Sequence, residues 1–153
     1  MTGVTFRQAA EDDLAAIVAL LADDDFGSER ETAALPLDQG YVDGFAAVSD
    51  DPNQLLAVAE MNGEIVGTVQ ISFVPGVALR GALRGTLEGV RVARHLRGKG
   101  VGREMIAWAV EQCRARGCAL VQLTTNKQRR GAQDFYRALG FANSHEGFKL
   151  TLD

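Results

Sequence analysis

The stretch that decides the fold is Thr86–Arg103, TLEGVRVARHLRGKGVGR. Its first seven residues, Thr86–Val92, read as a strand, and the chain then enters Arg97-Gly98-Lys99-Gly100-Val101-Gly102, where a helix begins. Glycines in such a turn let the backbone approach a ligand and point successive N–H groups outward. The helix N-terminus contributes a partial positive charge, and Arg97, Lys99 and Arg103 contribute whole ones, so the turn suits an anion such as phosphate. Two better-known phosphate turns fail on spacing. In G-x-G-x-x-G/A counted from Gly98, the third small residue would be Arg103, and G-x-x-x-x-G-K-[ST] occurs nowhere.

Downstream of this turn, Val101, Met105, Ile106, Ala109 and Cys113 share one face of a helix closed by Gly117, and Ala119–Thr124 reads as a strand. Ala132, Phe135, Tyr136 and Leu139 follow the i, i+3, i+4, i+7 spacing of a second helix ended by Gly140. Phe141–His145 and Phe148–Leu152 are expected to pair across Glu146-Gly147 as a last hairpin. Upstream, Leu55–Met61 and the alternating Ile65–Phe73 flank Asn62-Gly63, two residues that tolerate the positive φ of a type I′ turn. Pro75-Gly76 ends the second of these strands. Val4–Gln8 is a short first strand. Leu14, Ile17, Val18 and Leu21 line one helical face, with Glu11-Asp12-Asp13 favourably placed at its N-terminus. Residues 29–48 read as helical in part, broken at Pro36 and Gly40. The order β-α-α-β-β-β-α-β-α-β-β predicts an α/β chain, an α+β mixed sheet crossed by helices.

A length of 153 residues suits one domain, 1–153. Apolar residues at 46% and charged residues at 24% exclude wholesale disorder and a coiled-coil rod. The N-terminus carries no apolar signal region, and no apolar run approaches the roughly 20 residues that span a bilayer, so a cytoplasmic protein with no membrane partner is expected. Cys113 and Cys118 lack a C-x-x-C spacing and are read as small hydrophobes; with only His95 and His145 as histidines, no metal is expected. The net charge of −4 conceals a division. Residues 1–64 hold fourteen acidic against two basic residues, a net of −12, and residues 65–153 hold fourteen basic against six acidic, a net of +8. The basic half suits a polyanion and the acidic half something cationic.

A basic-x-x-Gly-x-Gly turn after the fourth strand, followed about thirty residues later by Phe135-Tyr136-x-x-Leu139-Gly140-Phe141, resembles the GNAT superfamily of acetyl-CoA-dependent N-acetyltransferases. The resemblance covers essentially the whole chain: the β-α-α-β-β-β order, RGKGVG and FYRALGF. It implies a seven-stranded mixed sheet that splays between strands four and five, with acetyl-CoA as co-substrate. The pantetheine arm would run along the backbone of Val90, Arg91 and Val92, and the pyrophosphate would sit on the amides of Arg97, Gly98, Lys99, Gly100, Val101 and Gly102, with Arg103, Arg129 and Phe135 also at the cofactor. Many members carry Asn where this chain has Arg129, so Arg129 or Lys127 is expected either to meet cofactor phosphate or to be solvated.

The resemblance also assigns roles. An amine of pKa about 10.4 must lose a proton before it attacks a thioester. Glu88 matches the position of the family's carboxylate base, acting directly or through a water; its alternative is an ion pair with Arg84 or Arg91. Tyr136 matches the tyrosine that protonates the departing thiolate; its alternative is packing beside Ala132 and Leu139. Backbone N–H groups near Val90 would polarise the thioester oxygen. Direct attack in a ternary complex is expected, without a covalent acetyl-enzyme.

Asp23-Asp24-Asp25, Glu29, Glu31 and His145-Glu146 would form an acidic acceptor wall, which fits a small cationic amine. Rival functions are a catalytically silent acyl-CoA-binding regulatory module and a protein acetyltransferase acting on lysine or an N-terminus. Nucleic-acid binding is disfavoured by the absence of interleaved aromatics around the basic residues. Homodimers are common in the family, and the pattern is compatible with one.

Overall fold

The computed structural model describes residues 2–24 and 26–153. In chain order the elements are β1 (Thr5–Gln8), α1 (Leu14–Ala22), α2 (Gly27–Arg30), α3 (Gln39–Asp50), β2 (Gln54–Met61), β3 (Glu64–Val74), α4 (Ala78–Gly81), β4 (Arg84–Val92), α5 (Val101–Ala115), β5 (Leu120–Leu123) and α6 (Arg130–Ala138). The five strands form one mixed sheet in the order β1-β2-β3-β4-β5. β1 to β4 pair antiparallel, and β4 and β5 pair parallel. Among the described residues no helix is long and apolar enough to cross a membrane.

The β2–β3 hairpin closes on Asn62 and Gly63 at φ 52° and 78°, the doubly positive pair that a type I′ turn requires. Four consecutive buried residues, Val66–Val69, mark where both faces of β3 are covered, by α1 and by α5. Further along β3 only one face is covered. Ile71 and Phe73 are buried, whereas Gln70 and Ser72 both donate to Gln54 Oε1 at 2.9 Å on the open face. The main core joins Val69, Ile71, Phe73 and Leu87 of the sheet to Val101, Met105, Ile106, Ala109 and Cys113 of α5. Cys113 is fully buried among these residues, and burial pushes its thiol up to about 12, as expected for an inert packing residue.

Two local expectations are corrected. Gly40 does not interrupt a helix; it lies in the first turn of α3, where its N–H donates to the capping carboxylate of Asp38 at 2.8 Å. The final hairpin is absent: residues 141–153 form no strand, so the sheet has five strands rather than seven. Phe141 is tied back to α6 by its N–H on Tyr136 O at 3.0 Å, and Phe148, Leu150 and Leu152 are 91%, 86% and 82% exposed. A two-stranded hairpin with no sheet beneath it is marginal in water, and alternation alone cannot hold it.

Close packing of β4 on α5 gives a test of the core. A Cβ at Gly85 would lie 2.3 Å from Cys113 Sγ. Gly85→Ala is therefore expected to lower stability by about 2 kcal/mol in chemical denaturation, as overpacked cores do. Gly85→Ala combined with Cys113→Ala should regain part of that loss.

Candidate active site

β4 and β5 stay paired only from Arg84↔Leu120 to Leu87↔Leu123; β5 then ends while β4 runs on to Val92. The parting leaves residues 88–92 of β4 without a partner strand on that side. The backbone of β4 is also irregular there. β3 pairs Gln70 with Glu88 and Thr68 with Arg91, so β4 holds one additional residue, a β-bulge at Gly89 with φ 60°. The bulge leaves Glu88 exposed and Arg91 turned inward. The Glu88 side chain makes no hydrogen bond or ion pair among the described residues; Arg91 instead bonds Val90 O and pairs with Asp24. The structural alternative for Glu88, a pair with Arg84 or Arg91, is not formed.

Asp24 organises this end of the molecule. Its buried carboxylate lies 2.8 Å from Arg91 Nε and 3.1 Å from Arg129 Nη2, and it accepts the backbone N–H groups of Phe26 and Gly27. Arg91 Nε faces the carboxylate without the alignment of a directed hydrogen bond, so that contact is an ion pair. Burial raises the Asp24 pKa, but the Gly27 amide, Arg129, Arg91 and the Phe26 amide outweigh it and hold the carboxyl at about 2. Burial lowers the Arg91 pKa; Asp24 and Glu31 oppose this, while Arg129 and Arg30 add to it. The Arg129 guanidinium also stacks over the Phe26 ring at 4.8 Å.

Asp23 is engaged as well. Arg94 Nη2 lies 3.2 Å from its carboxylate, and Arg97 Nη2 donates to its carbonyl at 3.2 Å. Asp24, Phe26, Arg94, Arg97 and Arg129 line a cavity of about 140 Å³. Of the acidic wall expected from sequence, Asp23 and Asp24 are therefore neutralised by arginines, and Glu31 accepts the Tyr41 hydroxyl at 3.1 Å. Glu29 and Glu146 are exposed, His145 bonds Ser144, and Asp25 lies outside the described residues. No sequence spacing signals the Asp24 cluster, since Asp24 and Arg129 are 105 residues apart.

The glycine turn has the expected backbone. Gly98 and Gly100 have φ of 75° and 93°, no atom lies within 4 Å of a Cβ at Gly98, and Gly100 caps α5. Lys99 and Arg103 are exposed beside it. Val101 contributes only backbone, because its side chain is in the core. At Gly102 a Cβ would lie in ordinary contact, 3.4 Å from Phe135 Cζ and 3.7 Å from Val92 Cγ2. Phe135 touches Tyr136 edge-on at 5.0 Å, and Tyr136 meets Phe141 edge-on at 5.7 Å. Burial raises the Tyr136 pKa, while Arg91 and Arg129 pull it the other way. The phenol therefore stays protonated through neutral pH. Val90 and Val92 are half-buried against the core. Lys127 is exposed.

Residues 14–141 match the acetyltransferase (GNAT) family. The chain belongs to the GNAT acetyltransferase family. This GNAT chain is 35% identical over 114 residues to an aminoalkylphosphonate N-acetyltransferase of Salmonella typhimurium, covering 74% of this chain and 73% of that one. A crystal structure of a transcriptional regulator from Bacillus halodurans C-125 is 46% identical, with TM-score 0.95, over 97% of this chain and 99% of that one. A putative acetyltransferase from Agrobacterium tumefaciens str. C58 is 26% identical, with TM-score 0.84, over 97% and 99%. The GNAT fold and the acetyltransferase class follow from these matches.

Asp24→Asn leaves two arginines without their buried counter-ion, and it should cost about 3 kcal/mol in urea unfolding. Because the folded pKa lies below the unfolded value near 3.9, the carboxylate stabilises above pH ~4, and this is lost as pH falls through about 2. Stability should therefore fall more steeply between pH 4 and 2 in the wild-type GNAT protein than in Asp24→Asn.

Proposed function

We propose that the chain transfers the acetyl group of acetyl-CoA to a small primary amine that also carries an anionic group, by direct attack in a ternary complex. The observation that carries this reading is the opened stretch of β4, where the unpartnered Glu88 carboxylate stands at a bulge on the strand that leads to the glycine turn. The residues fit the co-substrate. Gly98 has open space where a Cβ would stand, which lets a pyrophosphate approach the turn, and Arg97, Lys99 and Arg103 supply counter-charge. The backbone of Val90, Arg91 and Val92, released from pairing with β5, would take the pantetheine amides. Acetyl-CoA supplies an activated acyl group with a thiol leaving group.

In this reading Glu88 accepts the proton of the acceptor ammonium, directly or through water, so that the neutral amine attacks. Tyr136, kept protonated by burial, donates its proton to the departing sulfur. Backbone N–H groups at the Gly89–Val90 bulge would face the developing oxyanion. Arg129 holds Asp24 and lines the cavity, and its place in the chain is that of the asparagine common in relatives.

For the acceptor, charge near the site argues against a purely cationic amine. Asp23 and Asp24 are already paired, and Arg91, Arg94, Arg97 and Arg129 outnumber them. An amine with a phosphonate, phosphate or carboxylate suits that surplus. The Salmonella relative, an aminoalkylphosphonate N-acetyltransferase by name, supports the same class. A second reading, an acyl-CoA-sensing regulatory module, is favoured by one observation, that the B. halodurans structure is described as a transcriptional regulator.

Thiol release with a panel of amines tests these readings. An aminoalkylphosphonate should give the highest kcat/KM, above a polyamine and an aminoglycoside. Preference for the polyamine would overturn the anionic acceptor, and binding of acetyl-CoA without turnover of any amine would favour the regulatory module. Glu88→Gln should lower kcat by about 10²-fold and change its pH dependence, with the KM for acetyl-CoA unchanged. Tyr136→Phe should slow transfer while sparing acetyl-CoA binding; full activity in that variant would mean that the thiolate leaves without it.

A further inference from the structure

Cys113 and Cys118, the chain's two cysteines, take no part in the acetyl-transfer reading. The structure brings them together where α5 stops. The helix ends at Ala115, and Gly117 follows with φ 81°. Gly117 N–H donates to Arg114 O at 2.9 Å, and Cys118 N–H donates to Cys113 O at 3.0 Å. These two bonds are the Schellman helix stop, which sets the side chain at the third-last helical position against that of the residue after the left-handed glycine. An apolar pair usually fills those two positions; in this chain both hold cysteine.

The two sulfur atoms converge. The thiols are hydrogen-bonded to one another, and a Cβ at Gly85 of β4 would meet both Sγ atoms, that of Cys118 at 3.7 Å and that of Cys113 closer still. A disulfide requires such a meeting of side chains at short range. Access to the two thiols differs. Cys113 is buried, whereas Cys118 is half-buried at the margin of the core. By itself Cys113 is inert, because no solute reaches it. Beside Cys118 it is the sheltered half of a pair whose other half meets solvent.

We propose that Cys113 and Cys118 are a thiol–disulfide exchange site, oxidised to an intrachain disulfide by a small disulfide of the glutathione type. Cys118 loses its proton to solvent, and its thiolate attacks one sulfur of the reagent, whose S–S bond breaks to release one thiolate. The Cys113 sulfur then attacks the Cys118 sulfur of the mixed disulfide. The second thiolate departs, taking the Cys113 proton, as the bond between the two protein sulfurs forms. Two protein thiols are oxidised and one disulfide is reduced to two thiols. Proximity in the second step replaces the exposure that Cys113 lacks. The bridge would lie where β4 and β5 are still joined: Ala119 N–H donates to Leu83 O at 2.8 Å, and Leu120 pairs with Arg84. It is thus at the opposite end of β4 from the glycine turn and stands independently of the acetyl-CoA reading.

The reduced full-length chain, folded and without denaturant, would be incubated with glutathione disulfide at pH about 8.5, where about half of an ordinary exposed thiol is ionised. Remaining thiols are then blocked and the chain is digested with trypsin in the absence of reductant. Cleavage after Arg114 and Arg116 places the two cysteines on separate peptides, 104–114 and 117–127. These should be recovered joined, with both free thiols lost, and should separate on addition of dithiothreitol. Cys113→Ala should stop at a glutathione adduct on Cys118, and folded Cys118→Ala should keep Cys113 as a free thiol. The wild-type mapping decides the matter alone if either variant fails to fold. A wild type that keeps both thiols, holds glutathione on Cys118 without the cross-link, or joins Cys118 to a second chain would overturn the proposal. So would a folded Cys118→Ala chain whose Cys113 takes up glutathione as fast as the wild type loses its thiols.

Discussion

The site depends on the place where β4 and β5 part. Their parallel ladder lasts for four residue pairs, and β4 continues for five residues beyond it, Glu88–Val92. Backbone N–H and C=O groups that leave a ladder need other partners. Beyond Leu87 the groups of β4 that faced β5 have no strand partner, and the bulge at Gly89 decides which side chains lie on either face there. Glu88 is turned to solvent and Arg91 to the interior by that one additional residue. Leu21 approaches Gly89 to within 3.6 Å of a Cβ, so α1 braces the bulge from the other side.

This region is also held electrostatically. Asp24, just beyond α1, draws Arg91 of β4 and Arg129 at the start of α6 onto one carboxylate. A buried ion cluster of this kind adds little net stability against an apolar replacement, because desolvation offsets most of the attraction. Its contribution is to position three segments that are distant in sequence. It also reinterprets the division of charge along the chain. Part of the acidic N-terminal half is not a free surface for a cation; it supplies counter-ions to arginines of the basic half, and positive charge remains in excess around the cavity.

Features whose cause is local were legible in the sequence. Asn62-Gly63 announces its hairpin because few other residues accept two successive positive φ values, and Gly98 and Gly100, each at positive φ, mark the turn into α5. The apolar stripe of α5 is likewise a matter of spacing along one helix. What was not legible depends on distant partners. The Asp24–Arg129 pair has no signature, since nothing near either residue encodes the other. Gly102 resembles its neighbouring glycines but lacks their positive φ and lies instead against the Phe135 ring. The alternation in Phe148–Leu152 is real, yet these residues form no strand, because alternation alone does not supply the backbone pairing that a strand needs.

If the parted strands and the glycine turn form one acetyl-CoA site, calorimetric titration of the purified chain should show saturable one-to-one binding of acetyl-CoA. ATP, the control for simple phosphate binding, should bind much more weakly. Acetyl-CoA that fails to bind, or that binds no better than ATP, would contradict that assignment.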